Sequence, residues 1–433
     1  MPYTFGIHTL GCKVNQYESE AIAELAQKAG FSLCACGEGC DVCVINTCTV
    51  TGESDRKSRQ LIRRVRSQNP GAVIIVTGCL SQVAPETVAA IDGVSYICGN
   101  GRKADVIAAA LSLVGKPKAA PIVNVSPIDG APFESMSIEH FPRTRAYIKI
   151  EDGCESHCTY CIIPSARGKI RSKPREDVLA ELCALARGGC REVVLTGIET
   201  ASYGIDLGSY RLADLLCDAD KLLGGDVRIR LGSLDPSLIK PAFVEKIAAL
   251  PSAAPHFHLS MQSGSDSVLA AMKRKYNTKM ALAGMELLRS AIPDVQFTTD
   301  LIVGFPGETD ENFAETLDFV ERAKFLSAHV FAYSKRKGTP AAERRDQVSE
   351  IVKKERSAAL IAACRRIGNE ILRGCVGHSY PVLFETDSNG VSVGHTPSFI
   401  EVRVKSDVPL HSTVKNVKLT CECEGFCLGE PEN

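Results

Sequence analysis

No uninterrupted apolar run of about 18 residues occurs in this chain, so no segment reads as a membrane-spanning helix. Net charge is missing as well, with 50 lysines and arginines against 51 aspartates and glutamates. A general basic field is therefore absent, and any RNA contact must come from local patches. The opening Met-Pro-Tyr-Thr-Phe-Gly lacks the basic and apolar regions of a secretory signal, which sets a cytoplasmic expectation. Cysteine is not scarce. There are 19, an odd number that argues against a fully paired disulfide set. In a reducing compartment they read as metal ligands or buried thiols.

The 433 residues are 45% hydrophobic, enough for two to four domains. From Tyr3 to about residue 118 strand and helix alternate. Apolar runs at Tyr3–His8, Asp41–Asn46, Ala72–Thr77 and Val94–Cys98 read as strands. Ile22, Leu25, Ala26 and Ala29 fall at helical spacing, stopped by Gly30. This α/β pattern predicts a parallel sheet with helices on its faces over residues 1–118. Residues 119–142 are polar and proline-rich and read as a linker, with one short strand at Ile122–Val125.

Over residues 143–372 the alternation resumes. Strands are expected at Ala146–Ile150, Glu192–Thr196, Val227–Leu231, His256–Ser260, Phe297–Val303 and Ala328–Tyr333. Six βα units are too few for a closed eight-fold barrel, so a partial (β/α)6 barrel is predicted. A helical stretch from Ala341 to Leu372 leads out of it. Residues 373–433 carry short alternating runs, at Tyr380–Glu385, Phe399–Lys405 and Val414–Cys421, that predict a small all-β barrel.

Directly after the first barrel strand comes Glu151-Asp-Gly-Cys154-Glu-Ser-His-Cys158-Thr-Tyr-Cys161. This spacing puts three thiolates on one loop. A [4Fe–4S] cubane takes four ligands for full coverage, so three leave one iron open. That iron can chelate the amino and carboxylate groups of S-adenosylmethionine (SAM), whose radical chemistry needs such a site. The competing metal is zinc, with His157 or Cys190 as fourth ligand, but the second CxxC pair common in zinc motifs is missing. Three unrelated core thiols are the remaining reading.

A second trio is dispersed. Cys12, Cys48 and Cys79 each follow a predicted strand, 36 and then 31 residues apart, about one βαβ unit each. In a parallel sheet the strand C-termini share one edge, where open α/β sheets bind ligands. The three cysteines therefore converge, either as cluster ligands or as small buried hydrophobes. Cys98 also ends a strand. Cys34, Cys36, Cys40 and Cys43 have the spacing of a zinc site, although Cys43 falls inside an apolar strand.

Arg143-Thr-Arg-Ala-Tyr-Ile-Lys-Ile-Glu-Asp-Gly-Cys154 through Gly168 resembles the cluster loop of the radical SAM methylthiotransferases. The resemblance spans nearly the whole chain. It implies two [4Fe–4S] clusters, a radical one on Cys154, Cys158 and Cys161 and an auxiliary one on Cys12, Cys48 and Cys79. It also implies SAM as cofactor, an electron donor such as flavodoxin or ferredoxin, and a sulfur source. Leu10-Gly-Cys-Lys-Val-Asn-Gln16 and Gly394-His-Thr-Pro397 are similar to the subgroup acting on N6-threonylcarbamoyladenosine (t6A) in the tRNA anticodon arm. The implied product is its 2-methylthio derivative. No acid or base beyond the cluster ligands is assigned. Glu199, Ser233 and Gln262, each just beyond a barrel strand, are expected in the SAM pocket. Gly304, Gly307 and Glu308 are expected to shape the fifth loop.

Gly394–Val404 resembles the RNA-binding β-barrel module called TRAM. From Glu370 onward, however, nine acids outnumber five lysines and arginines, so any RNA patch there must be local. Basic runs at Arg56–Arg66, Arg167–Arg175, Lys273–Lys275 and Lys335–Lys337 are candidates for phosphate contact, the second foremost. Rival readings are a methylthiotransferase acting on isopentenyladenosine or on a ribosomal-protein aspartate, and a non-catalytic RNA-binding or electron-transfer iron–sulfur protein. A cobalamin enzyme fits less well, because Gly6 stands where the Asp-x-His-x-x-Gly motif needs aspartate.

Overall fold

The computed structural model describes residues 2–37, 39–116, 120–141 and 143–432. The expected boundary at residues 118 and 119, and Pro142 at the end of the expected linker, lie outside the described residues. The first unit runs β1 (Thr4–Thr9), α1 (Lys13–Lys28), β2 (Ser32–Cys34), β3 (Val42–Thr47), α2 (Gly52–Gln68), β4 (Val73–Gly78), α3 (Cys79–Val83), α4 (Pro85–Ala89), β5 (Tyr96–Cys98), α5 (Asp105–Leu113) and β6 (Ile122–Asn124). Its strands form one parallel sheet in the order β2-β1-β3-β4-β5-β6. The central strands β3 and β4 are buried at every position. Their unbroken apolar runs follow from helices covering both faces. The short strand foreseen in the linker is β6, and it pairs with β5 at Tyr96↔Ile122.

The second unit begins with β7 (Arg145–Lys149), β8 (Glu151–Asp152), α6 (Ile163–Arg167), β9 (Arg171–Ser172), α7 (Arg175–Arg187), β10 (Glu192–Thr196) and α8 (Leu212–Leu223). It continues with β11 (Arg228–Leu231), β12 (Ser233–Leu234), α9 (Pro241–Ile247), β13 (His256–Gln262), α10 (Asp266–Ala271), α11 (Thr278–Ala291), β14 (Gln296–Val303), α12 (Asp310–Ala323) and β15 (Ser327–Ala332). Two parallel sheets result, β11-β10-β7 and β12-β13-β14-β15. The third barrel strand passes from β11 through Gly232 to β12 and joins them. Six strand positions therefore make a barrel that stays open between β7 and β15.

After α13 (Pro340–Glu343), the 26-residue α14 (Glu350–Cys375) packs on β15. The Ser349 side chain caps it by accepting from Val352 N–H at 3.3 Å. Then β16 (Ser379–Ser388), β17 (Val391–His395), β18 (Glu401–Lys405), β19 (Val414–Cys423) and β20 (Phe426–Pro431) close into a barrel ordered β16-β17-β18-β20-β19.

The first unit is docked on the second through buried charge. Glu18 of α1 accepts from Arg167 Nη1 at 2.6 Å and from Lys149 Nζ at 2.9 Å, and lies 3.1 Å from Lys103 Nζ. Arg167 also reaches Asp152 at 3.2 Å and donates to Asn15 Oδ1 at 2.6 Å. Burial opposes the charge of Glu18, yet Arg167, Lys103 and Lys149 hold its carboxyl well below the usual range. Tyr17 and Ala21 of α1 sit in the same apolar core as Ile148 and Leu182. On the far side of the gap, Arg336 after β15 pairs with Asp55 of α2 and donates to Thr49.

Removing one partner from such a network strands the others without compensation. Arg167→Leu is expected to cost about 3–5 kcal/mol. Denaturant unfolding of the variant beside the parent checks this, and an unchanged midpoint would contradict it.

Candidate active site

β1, β3 and β4 are neighbours in the sheet, so the residues after their C-termini share one edge. Cys12 is the N-cap of α1, Cys48 follows β3 and Cys79 opens α3. The three thiols interact with one another electrostatically, as their mutual proximity requires. Gly11 allows the approach. Its φ is +109°, and a Cβ there would come within 3.0 Å of the Cys48 Cβ. Burial, with Cys79 and Cys12 nearby, pushes the Cys48 thiol up to about 11. Arg167 Nε donates to the Cys79 sulfur at 3.4 Å.

The second trio lies on the loop between β8 and α6. Gly153, at φ +93°, admits only glycine, because a Cβ would stand 2.0 Å from the Lys169 carbonyl oxygen. Cys154 N–H then bonds Gly168 O at 3.0 Å, and Cys161 N–H bonds Cys158 O at 3.0 Å. Ser156 N–H points at the Cys154 sulfur at 3.4 Å. Arg274 Nη1 donates to the Cys158 sulfur at 3.1 Å, while its Nη2 is fixed by Asp235 and the Ser260 carbonyl. Burial pushes the Cys161 thiol up to about 12. Ligation to iron would deprotonate it.

Among the described residues, no group of three or more His, Cys, Asp and Glu side chains is arranged to hold a single metal ion. A cubane is larger than one ion and spreads its ligands farther apart. Cys190, the alternative fourth ligand, donates to the Glu192 carbonyl at 3.2 Å, at the opposite end of the barrel strands. Cys98 is likewise occupied, donating to Arg102 O at 2.8 Å. Cys34, Cys36, Cys40 and Cys43 do gather, with Cys34 and Cys40 sulfurs 2.7 Å apart, and Cys36, Cys40 and Cys43 join the apolar core between sheet and α2.

A cavity of about 330 Å³ runs through the barrel. Cys12 and Lys13 form its wall beside β7, and Ser327 and His329 of β15 form the opposite wall. Thr196, Gly197 and Ser233 lie at its top, where the barrel strands end. Its floor is Arg145, Arg230, His256 and Phe399. Glu192 pairs with Arg230 at 2.7 Å, Arg228 at 2.9 Å and Arg145 at 3.4 Å. Burial alone would raise Glu192, but Arg230, Arg145 and Arg228 hold its carboxyl at about 2.

Of the residues expected in the SAM pocket, Ser233 lines this cavity. Glu199 lies instead in a neighbouring one with Ser156, Asp235 and Lys275. Burial and the Asp235 charge push its carboxyl up to about 7. Gln262 lines neither cavity. It occupies a β-bulge on β13 with φ +65°. Glu308 accepts from Gly304 N–H at 2.8 Å and from Arg356 Nη1 at 2.7 Å, which holds the fifth loop in shape.

Two basic runs are partly committed inside the protein, although Lys169, Lys273 and Lys275 stay exposed. Arg167 and Arg171 are buried in the docking network, and Lys173 is held by Glu181 and the Met136 carbonyl. Arg274 serves the cysteine loop. Glu18 for Arg167 and the Cys158 sulfur for Arg274 lie far away in sequence, and no run of cations reveals such partners. Arg56, Lys57, Arg63 and Arg64 of α2, with Lys335 and Lys337, remain exposed, and Gly52 places the start of α2 against the Lys335 backbone. The Gly394–Pro397 motif is also committed elsewhere. His395 pairs with Glu385, and Phe399 stacks on His395 and His256 with Arg145 and Arg230 over its ring. This part of the tail plugs the barrel floor.

A family profile described as the radical SAM superfamily matches residues 148–320, and one described as uncharacterized protein family UPF0004 matches residues 4–99. The threonylcarbamoyladenosine tRNA methylthiotransferase MtaB of Bacillus subtilis is 40% identical over 96% of this chain and 93% of its own. The chain belongs to the radical SAM tRNA methylthiotransferases. As a member it uses SAM and two [4Fe–4S] clusters. The MtaB of Thermotoga maritima is also 40% identical, over 88% of this chain and 86% of its own. A tRNA-2-methylthio-N(6)-dimethylallyladenosine synthase of Carboxydothermus hydrogenoformans is 36% identical over 89% and 88%. Among solved structures, the radical SAM methyltransferase TsrM of Kitasatospora setae aligns at TM-score 0.58 over 91% of this chain and 81% of its own. At 14% identity that likeness shows the fold alone. No described helix of the methylthiotransferase is long and apolar enough to cross a membrane.

Arg274→Gln removes a cation from the Cys158 sulfur. With the radical cluster assigned to that loop, its potential is expected to fall, with iron content retained, in an EPR-monitored redox titration. A rise would contradict the assignment. Glu192 gives a pH signature. Its folded pKa lies below the ordinary 4.5, so its stabilisation is complete above pH 4.5 and is lost as pH falls towards 2. About 3 kcal/mol is at stake. Glu192→Gln should flatten the stability profile across that window, and an equally steep profile would refute the coupling.

Proposed function

We propose that this methylthiotransferase acts on t6A in tRNA and replaces the hydrogen on adenine C2 with a methylthio group. The reading rests on the barrel cavity, which has Cys12 of the first unit in its wall and barrel strand ends at its top. A base seated there lies beside the auxiliary trio and under the loops that follow the strands. The greater identity to the two threonylcarbamoyladenosine enzymes, 40% against 36%, supports the t6A substrate.

In this reading Cys154, Cys158 and Cys161 hold the radical cluster within unit 143–372, and Cys12, Cys48 and Cys79 hold the auxiliary cluster within unit 1–118. Bound SAM and the two clusters supply a carbon radical and a transferable sulfur, which suits a C2–H bond too strong and too weakly acidic for proton transfer. The chain's own groups position these parts. Arg274 fixes and partly neutralises Cys158. Arg167 orients Cys79 and fastens it to the radical-cluster loop through Asp152. Glu199, Ser233 and Gln262 are proposed SAM contacts. Glu199 fits best, beside Ser156 of the cluster loop in the cavity it shares with Asp235 and Lys275. The exposed α2 arginines and Lys335 and Lys337 are placed to meet phosphates of the anticodon arm. A cytoplasmic setting, an electron donor such as flavodoxin or ferredoxin, and a separate sulfur source complete the proposal.

Nucleoside mass spectrometry of tRNA from a deletion strain tests the substrate. The 2-methylthio form of t6A should vanish and unmodified t6A accumulate. Loss of the dimethylallyl product would assign the sister activity instead. Cys12→Ala in reconstituted enzyme should still cleave SAM to 5′-deoxyadenosine while yielding no methylthiolated RNA. Full methylthiolation by that variant would reject the auxiliary role of Cys12.

A further inference from the structure

The barrel cavity is unusually rich in cations for a site that receives a purine. Two guanidiniums at its floor, Arg145 and Arg230, belong with Arg228 to a network of three cations that holds only two carboxylates, Glu192 and Glu385. One positive charge there is left unneutralised. Arg230 is 3% exposed, yet its Nη1 has no hydrogen-bond partner among the described residues. His256, 4% exposed, likewise leaves Nδ1 unpaired while its Nε2 meets Thr298. Such orphaned buried polar atoms are expensive unless a ligand completes them. Lys13, beside the cluster cysteine, lines the same cavity with no ion-pair partner among the described residues. Asp300 is the carboxylate that shares this lining. Asp300 is itself engaged by His258 at 3.3 Å.

We propose that Lys13 and Arg230, with His256 beside them, form a carboxylate-binding subsite that receives the free threonyl carboxylate of the N6 substituent. The inference rests on the t6A reading. A cavity of about 330 Å³ holds one base and its substituent and excludes a stretch of nucleic-acid backbone. Of the groups on that base, the threonyl carboxylate alone is anionic. Arg230 Nη1 is free to donate a charge-assisted bond to it, and Lys13 enters from the wall beside β7. A dimethylallyl group in the same place would desolvate Lys13 and Arg230 without giving either a partner. The subsite therefore selects by penalty as well as by attraction.

The test uses iron-loaded enzyme without reductant, so binding is read apart from chemistry. An anticodon stem-loop carrying t6A is compared with the same RNA bearing the threonyl methyl ester. The parent should bind the acid about 10- to 100-fold more tightly than the ester. Lys13→Gln and Arg230→Gln should each reduce that ratio about tenfold, and Lys13→Arg should keep it. Iron analysis of each variant confirms cluster loading, and either variant that remains loaded suffices. An acid-to-ester ratio near one in the parent, or an unchanged ratio in the loaded variants, overturns the subsite. Turnover of the parent separates the two ideas. Methylthiolation of t6A RNA without acid–ester discrimination ends the subsite alone, whereas turnover of dimethylallyl RNA only ends the substrate reading and the subsite with it.

Discussion

The buried contact between Glu18 and Arg167 sets the geometry on which the rest depends. Taking both charges out of water costs several kcal/mol per ion, so their pairing is a poor source of stability by itself. Its value is positional. Glu18 and Asn15 lie within the first two turns of the helix that Cys12 caps. Arg167 ends the short helix after Cys161, and its Nε touches the Cys79 sulfur. Asp152, also on Arg167, sits two residues before Cys154. One guanidinium thus meets loops from both cysteine trios. A slip of either unit would leave at least one buried charge unpaired, which penalises every relative placement but this one.

A second charged junction sits at the other end of the barrel. Glu192 gathers the first residues of the barrel strands, and the tail delivers Phe399 into the space they surround. Phe399 takes φ +74°, a conformation costly for a non-glycine residue. The strain is offset by rings and guanidiniums on several sides. The tail therefore belongs structurally to the barrel cavity, and removing it would open that cavity from below.

Cys154, Cys158 and Cys161 were readable from local spacing, and the dispersed trio was readable because the rule behind it is topological. Each of Cys12, Cys48 and Cys79 ends an apolar run, and parallel connectivity sends such positions to one edge whatever lies between them. Arg167, Lys173 and Arg274 were not readable. A solvated cation and a buried one look identical in sequence, and the partner of Arg167 lies 149 residues away. Phe399 was read as a strand residue because Phe-Ile-Glu-Val-Arg-Val alternates, yet the chain turns left-handed there and the strand starts at Glu401. β2, β17 and β20 also escaped, the first a three-residue edge strand and the others broken by glycine. Glu199 and Ser233 were rightly placed at strand ends, but strand order alone does not say which of two adjacent cavities each residue lines.

The missing barrel strands explain the auxiliary trio. A closed eight-stranded barrel would pack its interior with side chains and leave no lateral approach. Here six strands leave a gap, and the first unit bridges it. Its α1 lies against β7 through Glu18 and Lys149, while Asp55 and Thr49 take Arg336 beyond β15. Cys48 adjoins Thr49, and Cys12 caps α1, so both anchors of the bridge also anchor cysteines. The element that closes the barrel is thereby the element that carries the second trio. Incomplete closure thus gives a group carried outside the barrel a lateral way into the wall of its cavity.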